Sequence, residues 1–186
     1  MENETKTGKV IIINGPSSSG KSTLALALQR QFDIPFLRFS FDVFLENHVL
    51  PWDQINGGAF SWSSIRPAVF NGIHRCIPAL ATAGNNLIFD HIIETEIWME
   101  ELVQLLKGLD VFFVGLHCSL EELERREIQR GDRRIGEARA DLETVHTFGP
   151  YDLELNSENS IEENTKVLIA AWKKRQHPSA FEKMSI

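Results

Sequence analysis

Apolar residues recur along the chain in two rhythms. Short runs rich in β-branched and aromatic residues read as strands: Lys9 to Ile13, PFLRFSFD (35–42), NNLIFD (85–90), DVFFVGLHC (110–118) and YDLELN (151–156). Longer stretches with helical character lie between them: 22–31, 63–84, 95–107, 119–131 and 160–175. In the 63–84 helix, Pro67 is expected in the first turn and Pro78 is expected to kink the middle. The 119–131 helix opens with the capping-box spacing Ser119 to Glu122 and ends in Gly131. The last helix is expected to turn Ile161, Val167, Leu168 and Ala171 toward the core. Alternation of β with α predicts an α/β fold, with a mostly parallel five-stranded sheet between helical layers. Ligands of such sheets bind at the carboxyl ends of the strands.

The bulk numbers narrow the class. A chain of 186 residues with 42% hydrophobic and 24% charged residues is one globular domain, 1–186, with a real core. The net charge of −7 argues against a general nucleic-acid binder, which needs a cationic face. Cys76 and Cys118 lie far apart and read as reduced core thiols. The polar start MENETKTGK is no signal peptide, and no apolar run approaches a membrane span, so a cytoplasmic protein is expected. The segment 176–186 is expected to be a flexible tail. Oligomeric state is not legible.

The stretch after the first strand changes the picture. Gly15 to Ser22 spells G-x-x-x-x-G-K-S, the P-loop pattern, and it stands between a strand and a helix as the pattern requires. Its backbone N–H groups would cradle phosphate, with the N-terminus of the next helix behind them. Gly15, Pro16, Ser17, Ser18, Ser19, Gly20, Lys21, Ser22 and Thr23 are therefore the expected ATP-binding residues. Lys21 would reach the terminal phosphates, and Ser22 would bind Mg²⁺, with Thr23 the lesser candidate. The bland alternative is a flexible Ser/Gly turn.

Two aspartates close strands downstream. Asp90, after NNLIF, stands where a Walker-B carboxylate holds Mg²⁺, or else serves as a turn or cap residue. Asp42, after FLRFSF, is either a helix N-cap or the general base that takes a proton from an acceptor hydroxyl. Residues 124–139 (ERREIQRGDRRIGEAR) hold six of the chain's eleven arginines. Guanidinium groups suit phosphate, and a helix, an RGDRR turn and a second short helix read as a lid over about 125–148. Helical pairing with Glu121, Glu122, Glu124 and Glu127 would account for Arg125 or Arg126, and less well for Arg130 and Arg133. His74, His117 and His146 have no metal-like spacing and read as structural.

The N-K-x-D and D-x-x-G motifs of GTPases do not occur. The segments IIINGPSSSGKS, FSFD, LIFDHI, RGDR followed by IGEAR, then VH and YDLEL resemble, in order, the chloramphenicol phosphotransferase-like family over about residues 9–172. That resemblance implies a P-loop kinase fold with a small helical lid. It implies transfer of the γ-phosphoryl group of ATP, with Mg²⁺, to a hydroxyl of a small molecule. Asp42 would be the general base, and Lys21, Arg130 and Arg133 would serve the transferred phosphate. Arg126, in the arginine run, is a further expected ATP-binding residue. Chloramphenicol is the leading candidate acceptor. A nucleotide or metabolite kinase on the same fold and a non-catalytic nucleotide-binding regulator are the alternatives. Two features depart from the family pattern. His91 stands where a second acid is expected, as an acceptor or phosphate contact or a satisfied cleft residue. The segment 51–64, with Trp52, Phe60 and Trp62, reads as an acceptor-site lip or as a loop pinned to the core.

Overall fold

The computed structural model describes residues 6–46, 49–131 and 135–185. Arg133, named above, lies outside the described residues. Five strands form one sheet: β1 (Val10–Asn14), β2 (Phe36–Ser40), β3 (Asn86–His91), β4 (Val111–His117) and β5 (Leu153–Asn156). Their order is β2-β3-β1-β4-β5, and every pairing is parallel. Register places Ile13 beside Asp90, and Asn14 beside His91 and Gly115, so the functional ends of β1, β3 and β4 share one edge. Connections diverge on either side of β1, which is where an open parallel sheet leaves a crevice.

The period of two assigns the strand residues to two cores. Val10, Ile12, Leu87, Phe89, Val111 and Phe113 pack on one face, against α4 (Trp62–Thr82) and α5 (Glu96–Leu105). Ile11, Ile13, Ile88, Phe112 and Val114 pack on the other, against α1 (Lys21–Gln31) and α8 (Ile161–Lys173). Burying each such side chain contributes about 1.5–3 kcal/mol, so the central strands carry much of the fold. Between β2 and α4 the chain forms the one-turn helices α2 (Asp42–Glu46) and α3 (Trp52–Asn56). The segment expected to form a lid carries α6 (Leu120–Arg130) and α7 (Glu137–Thr144).

Several sequence expectations need correction. The α4 helix starts at Trp62, so Pro67 lies beyond its first turn, and the helix runs on through Pro78. Each proline costs about 3 kcal/mol in a helix interior, and burial of Phe70, Ile73, His74, Ile77 and Ala81 offsets it. On α8 the buried stripe is Asn164, Thr165, Leu168 and Trp172, while Val167 is 43% exposed. The capping position of α6 is half realised: Ser119 accepts the Glu122 N–H, but the Glu122 carboxylate turns to Arg125 and Arg126. The tail is docked. Helix α9 (Ala180–Met184) carries a full capping box from Ser179 and Glu182 and buries Phe181 against Phe113. Asp152 ties it down, its two oxygens accepting the N–H groups of Phe113 and Ala180. Among the described residues, no helix is long and apolar enough to cross a membrane. Cys118 is buried and Cys76 half-buried, both as free thiols.

Candidate active site

The phosphate loop bridges the end of β1 and the start of α1. Its shape needs its glycines: a Cβ on Gly15 would stand 2.6 Å from the Leu116 carbonyl oxygen, and Gly20 has φ +93°. Ser18 also adopts a left-handed conformation, with φ 63°. Lys21 is buried, and its ammonium group donates to the Pro16 carbonyl at 2.8 Å, which folds the side chain back over the loop. The hydroxyl oxygens of Ser18 and Ser19 are buried without a protein partner. Buried polar atoms are almost always satisfied, so two orphans on one loop fit an anionic ligand.

At the end of the loop, Ser22 donates to one oxygen of Asp90 on β3 at 3.4 Å, and the other Asp90 oxygen is buried and unpartnered. Burial raises the Asp90 pKa to about 6, against the pull of Lys21 and Arg38, and Asp42 raises it further. This hydroxyl and carboxylate fit Mg²⁺, a hard cation that takes few protein ligands and keeps phosphate and water as the others. Among the described residues, no cluster of three or more His, Cys, Asp or Glu is arranged to hold a metal.

Both groups open into one cavity of about 1060 Å³. It is lined by Ser17 through Thr23, Asp42, Asp90, His91, Arg126 and Arg130, all anticipated from the sequence. Gly15 and Pro16 are buried beneath the loop rather than at the cavity wall. Asp42 is the first residue of α2, past the end of β2, and faces the same space as Lys21. Arg126 is fixed at both ends. Its Nε donates to Glu122 at 2.7 Å, while its terminal nitrogens reach the carbonyl of Ser19 and the hydroxyl and carbonyl of Ser157. Arg125 is exposed and paired with Glu122, as the helical-pairing reading expects.

Trp52 and Trp62 line the cavity, with ring centroids 5.3 Å apart. Phe60 does not line it and is 47% exposed. The lip is therefore helical, made of α3 and the first turn of α4. Behind it, Phe41 stacks on Phe70 at 4.3 Å, and Phe70 stacks on Trp98 at 4.4 Å. Arg66 lies over the Phe70 and Trp98 rings and holds Glu94 at 2.6 Å. His91 is buried at the end of β3, and burial, with His74, Lys21 and Arg66 nearby, holds its pKa well below the usual imidazole value. His146 bonds the Tyr151 hydroxyl at 2.7 Å and stacks on His117 outside the cavity lining, a structural contact.

Sequence reasoning missed part of the cavity. The residues after β5, Ser157 to Ile161, together with Asn164, line the side next to Arg126. Asn164 is buried, with its amide nitrogen on the Asn156 carbonyl and its oxygen unpartnered. The rule that ligands gather after parallel strands applies to β5 and would have found this segment. Arg38, Arg66, Phe70, Glu94 and Asp141 were missed as well; they come from separate elements, and only the fold brings them together.

Comparison with known proteins agrees with this fold. The chain is 29% identical over 197 residues to a Mycobacterium tuberculosis protein provisionally named an O-phosphotransferase, covering 95% of this chain and 88% of that one. Among solved structures, the M. tuberculosis APS kinase in complex with AMPPNP and APS superposes with a TM-score of 0.69 at 20% identity, covering 90% of this chain and 98% of that one. The tunicamycin resistance protein of Deinococcus radiodurans superposes with a TM-score of 0.62 at 19% identity, covering 88% and 94%. These likenesses place the fold among P-loop kinases. The model of the chloramphenicol phosphotransferase-like family matches residues 8–173, so the chain belongs to that family and is a small-molecule kinase.

Proposed function

We propose that the protein transfers the γ-phosphoryl group of ATP to a hydroxyl of a neutral, amphipathic small molecule, with chloramphenicol the leading candidate. One observation carries the reading: Lys21 and Asp42 face one cavity whose two ends differ in chemistry. The end formed by Ser17–Thr23, Arg126, Ser157–Ile161 and Asn164 is polar and suits the nucleotide. The other, formed by Phe41, Trp52, Trp62 and Phe70, is aromatic and suits the flat body of an acceptor.

The roles follow from position. The loop amides, Ser18 and Ser19 hold the phosphates, and Arg126, braced on Ser19 and Ser157 at the cavity wall, contacts the nucleotide. Ser22 and Asp90 would hold Mg²⁺, which neutralises charge on the β- and γ-phosphate oxygens when bound. Asp42 takes the proton as the acceptor O–H bond breaks, and the acceptor oxygen attacks the γ-phosphorus. The bond from that phosphorus to the bridging oxygen breaks, and ADP leaves. Lys21 and Arg130 stabilise the charge of the moving group. Because Arg66 already holds Glu94, the aromatic end favours a neutral acceptor over a phosphorylated one.

Incubation with Mg²⁺-ATP and chloramphenicol, followed by mass spectrometry, tests this reading. A mass gain of one phosphate that vanishes in Lys21→Ala and Asp42→Asn supports it. ATP binding with no transfer to chloramphenicol or to any of a broad panel of alcohols would overturn it.

A further inference from the structure

Behind the aromatic end of the cavity runs a hydrogen-bond chain that the transfer chemistry does not use. Arg75 Nε donates to Asn71 Oδ1 at 2.8 Å, and Asn71 Nδ2 donates to Glu101. The other Glu101 oxygen stands 3.1 Å from His74 Nδ1, and His74 Nε2 stands 3.1 Å from His91 Nε2. The chain spans the exposed face of α4, the edge of α5 and the end of β3.

Its direction follows from groups with only one role. A guanidinium can only donate, so Asn71 presents its oxygen to Arg75 and its nitrogen to Glu101. An ionised carboxylate can only accept, so His74 carries its hydrogen on Nδ1. Both rings are buried, at 0% and 4% exposure, and an imidazole taken out of water favours its neutral form. A neutral His74 therefore offers a lone pair at Nε2, His91 must supply the hydrogen from its own Nε2, and His91 Nδ1 is left as an acceptor. Packing holds the ring in place: His91 stacks on Trp98 with centroids 5.5 Å apart and planes 18° apart, and it lines the cavity beside Phe70 and Glu94.

We propose that His91 is a specificity-determining residue of the acceptor site, and that Arg75, Asn71, Glu101 and His74 are positioning residues that hold it as a hydrogen-bond acceptor. The site then selects a small molecule that presents a hydroxyl or amide N–H beside a flat apolar body. This inference rests on the reading of the aromatic end as the acceptor bay.

Glu101→Gln reverses the chain. The Gln oxygen still accepts from Asn71, so its nitrogen must donate to His74 Nδ1. His74 then carries its hydrogen on Nε2, His91 accepts there, and His91 Nδ1 becomes a donor. In ¹⁵N-histidine-labelled protein, long-range ¹H–¹⁵N spectra are expected to show His91 as the Nε2–H tautomer in the parent and the Nδ1–H tautomer in Glu101→Gln. Glu101→Ala, which releases His74, is expected to give a mixture, and thermal unfolding checks that both variants fold. For an acceptor that the parent phosphorylates, Glu101→Gln is expected to raise KM about tenfold and leave kcat within about threefold. An Nδ1–H tautomer in the parent, one tautomer shared by the parent and Glu101→Gln, or an unchanged acceptor KM overturns the proposal. Failure of the underlying reading looks different: the parent transfers phosphate to nothing while the tautomers behave as expected.

Discussion

The carboxylate of Asp141, on α7, accepts the backbone N–H of Ser17 at 2.8 Å. The second lid helix is thus tied directly to the phosphate loop. From the other side, Glu127 accepts the N–H groups of Gly136 and Ala138 and joins α6 to the start of α7. Two carboxylates therefore hold the lid helices in register with the loop. Asp141→Ala is expected to speed limited proteolysis of the lid and to raise the KM for ATP several-fold, with little change in thermal stability. A proteolysis rate equal to that of the parent would show that the tie does not hold the lid.

The Glu127 ties have a pH signature. Its backbone donors hold the carboxyl below its usual range, so the folded state favours the ionised form. That contribution is present above the ordinary carboxylate pKa and is lost as pH falls through the lowered value. Lid protection measured by amide exchange at Gly136 and Ala138 is expected to decline as pH drops below the ordinary glutamate pKa. Glu127→Gln should abolish that decline. A decline of the same size in the variant would assign it to another group.

Asp42→Asn is expected to lower phosphoryl transfer by about 10²–10⁴-fold, the range for loss of a general base. ATP affinity, measured by calorimetry, should stay within about threefold, because the phosphate loop is untouched. A variant that transfers at the parent rate would remove Asp42 from the chemistry.

Asp90 is expected to trade stability for activity. Its folded pKa of about 6 lies above the ordinary 3.8, so the folded protein keeps a proton that the unfolded chain releases. The group's stabilising contribution is full below about pH 4 and drains away between about pH 4 and 6. At about 1.4 kcal/mol per unit, ionised Asp90 costs roughly 2–3 kcal/mol at pH 7.5 in the absence of Mg²⁺. In urea, Asp90→Asn should be the more stable protein at pH 7.5, the difference should vanish below pH 4, and transfer should fall. Equal stability at pH 7.5 would mean that Asp90 bears no such cost.

The docked tail is expected to matter for the whole fold. Phe181 is 3% exposed and packs on Phe113 in the central sheet. Phe181→Ala should cost about 3–5 kcal/mol in chemical denaturation. A cost under about 1 kcal/mol would return the segment to the loose tail expected from its sequence.

Local signals were legible where one short stretch carried the whole message. The strand and helix alternation, the P-loop, Asp42 just past β2 and Asp90 at the end of β3 all depend on residues adjacent in the chain. Contacts made by distant elements were not legible. HPSAFEKM has no periodicity of its own, and its order comes from Asp152 and Phe113, some thirty and seventy residues away. Val167 sits one position off the stripe of Leu168 and Trp172, a shift that pattern alone does not resolve over one helix. Phe60 and Phe70 look alike in the sequence, but only Phe70 is on the inward side of α4. The chain from Arg75 to His91 joins two helices and a strand, and no motif announces it.

The distribution of indole rings has an optical consequence. Of the chain's four tryptophans, Trp52 and Trp62 line the aromatic end of the cavity and Trp98 stacks on His91. Trp172 packs against Phe32 and Phe36 on the opposite side of the sheet, and no residue of the phosphate loop carries an indole. Intrinsic indole emission is therefore expected to report on what enters the aromatic end, against a constant background from Trp172. The protein carries its own dye for the half of its cavity whose occupant is unidentified, and a compound collection can be screened by fluorescence without labels.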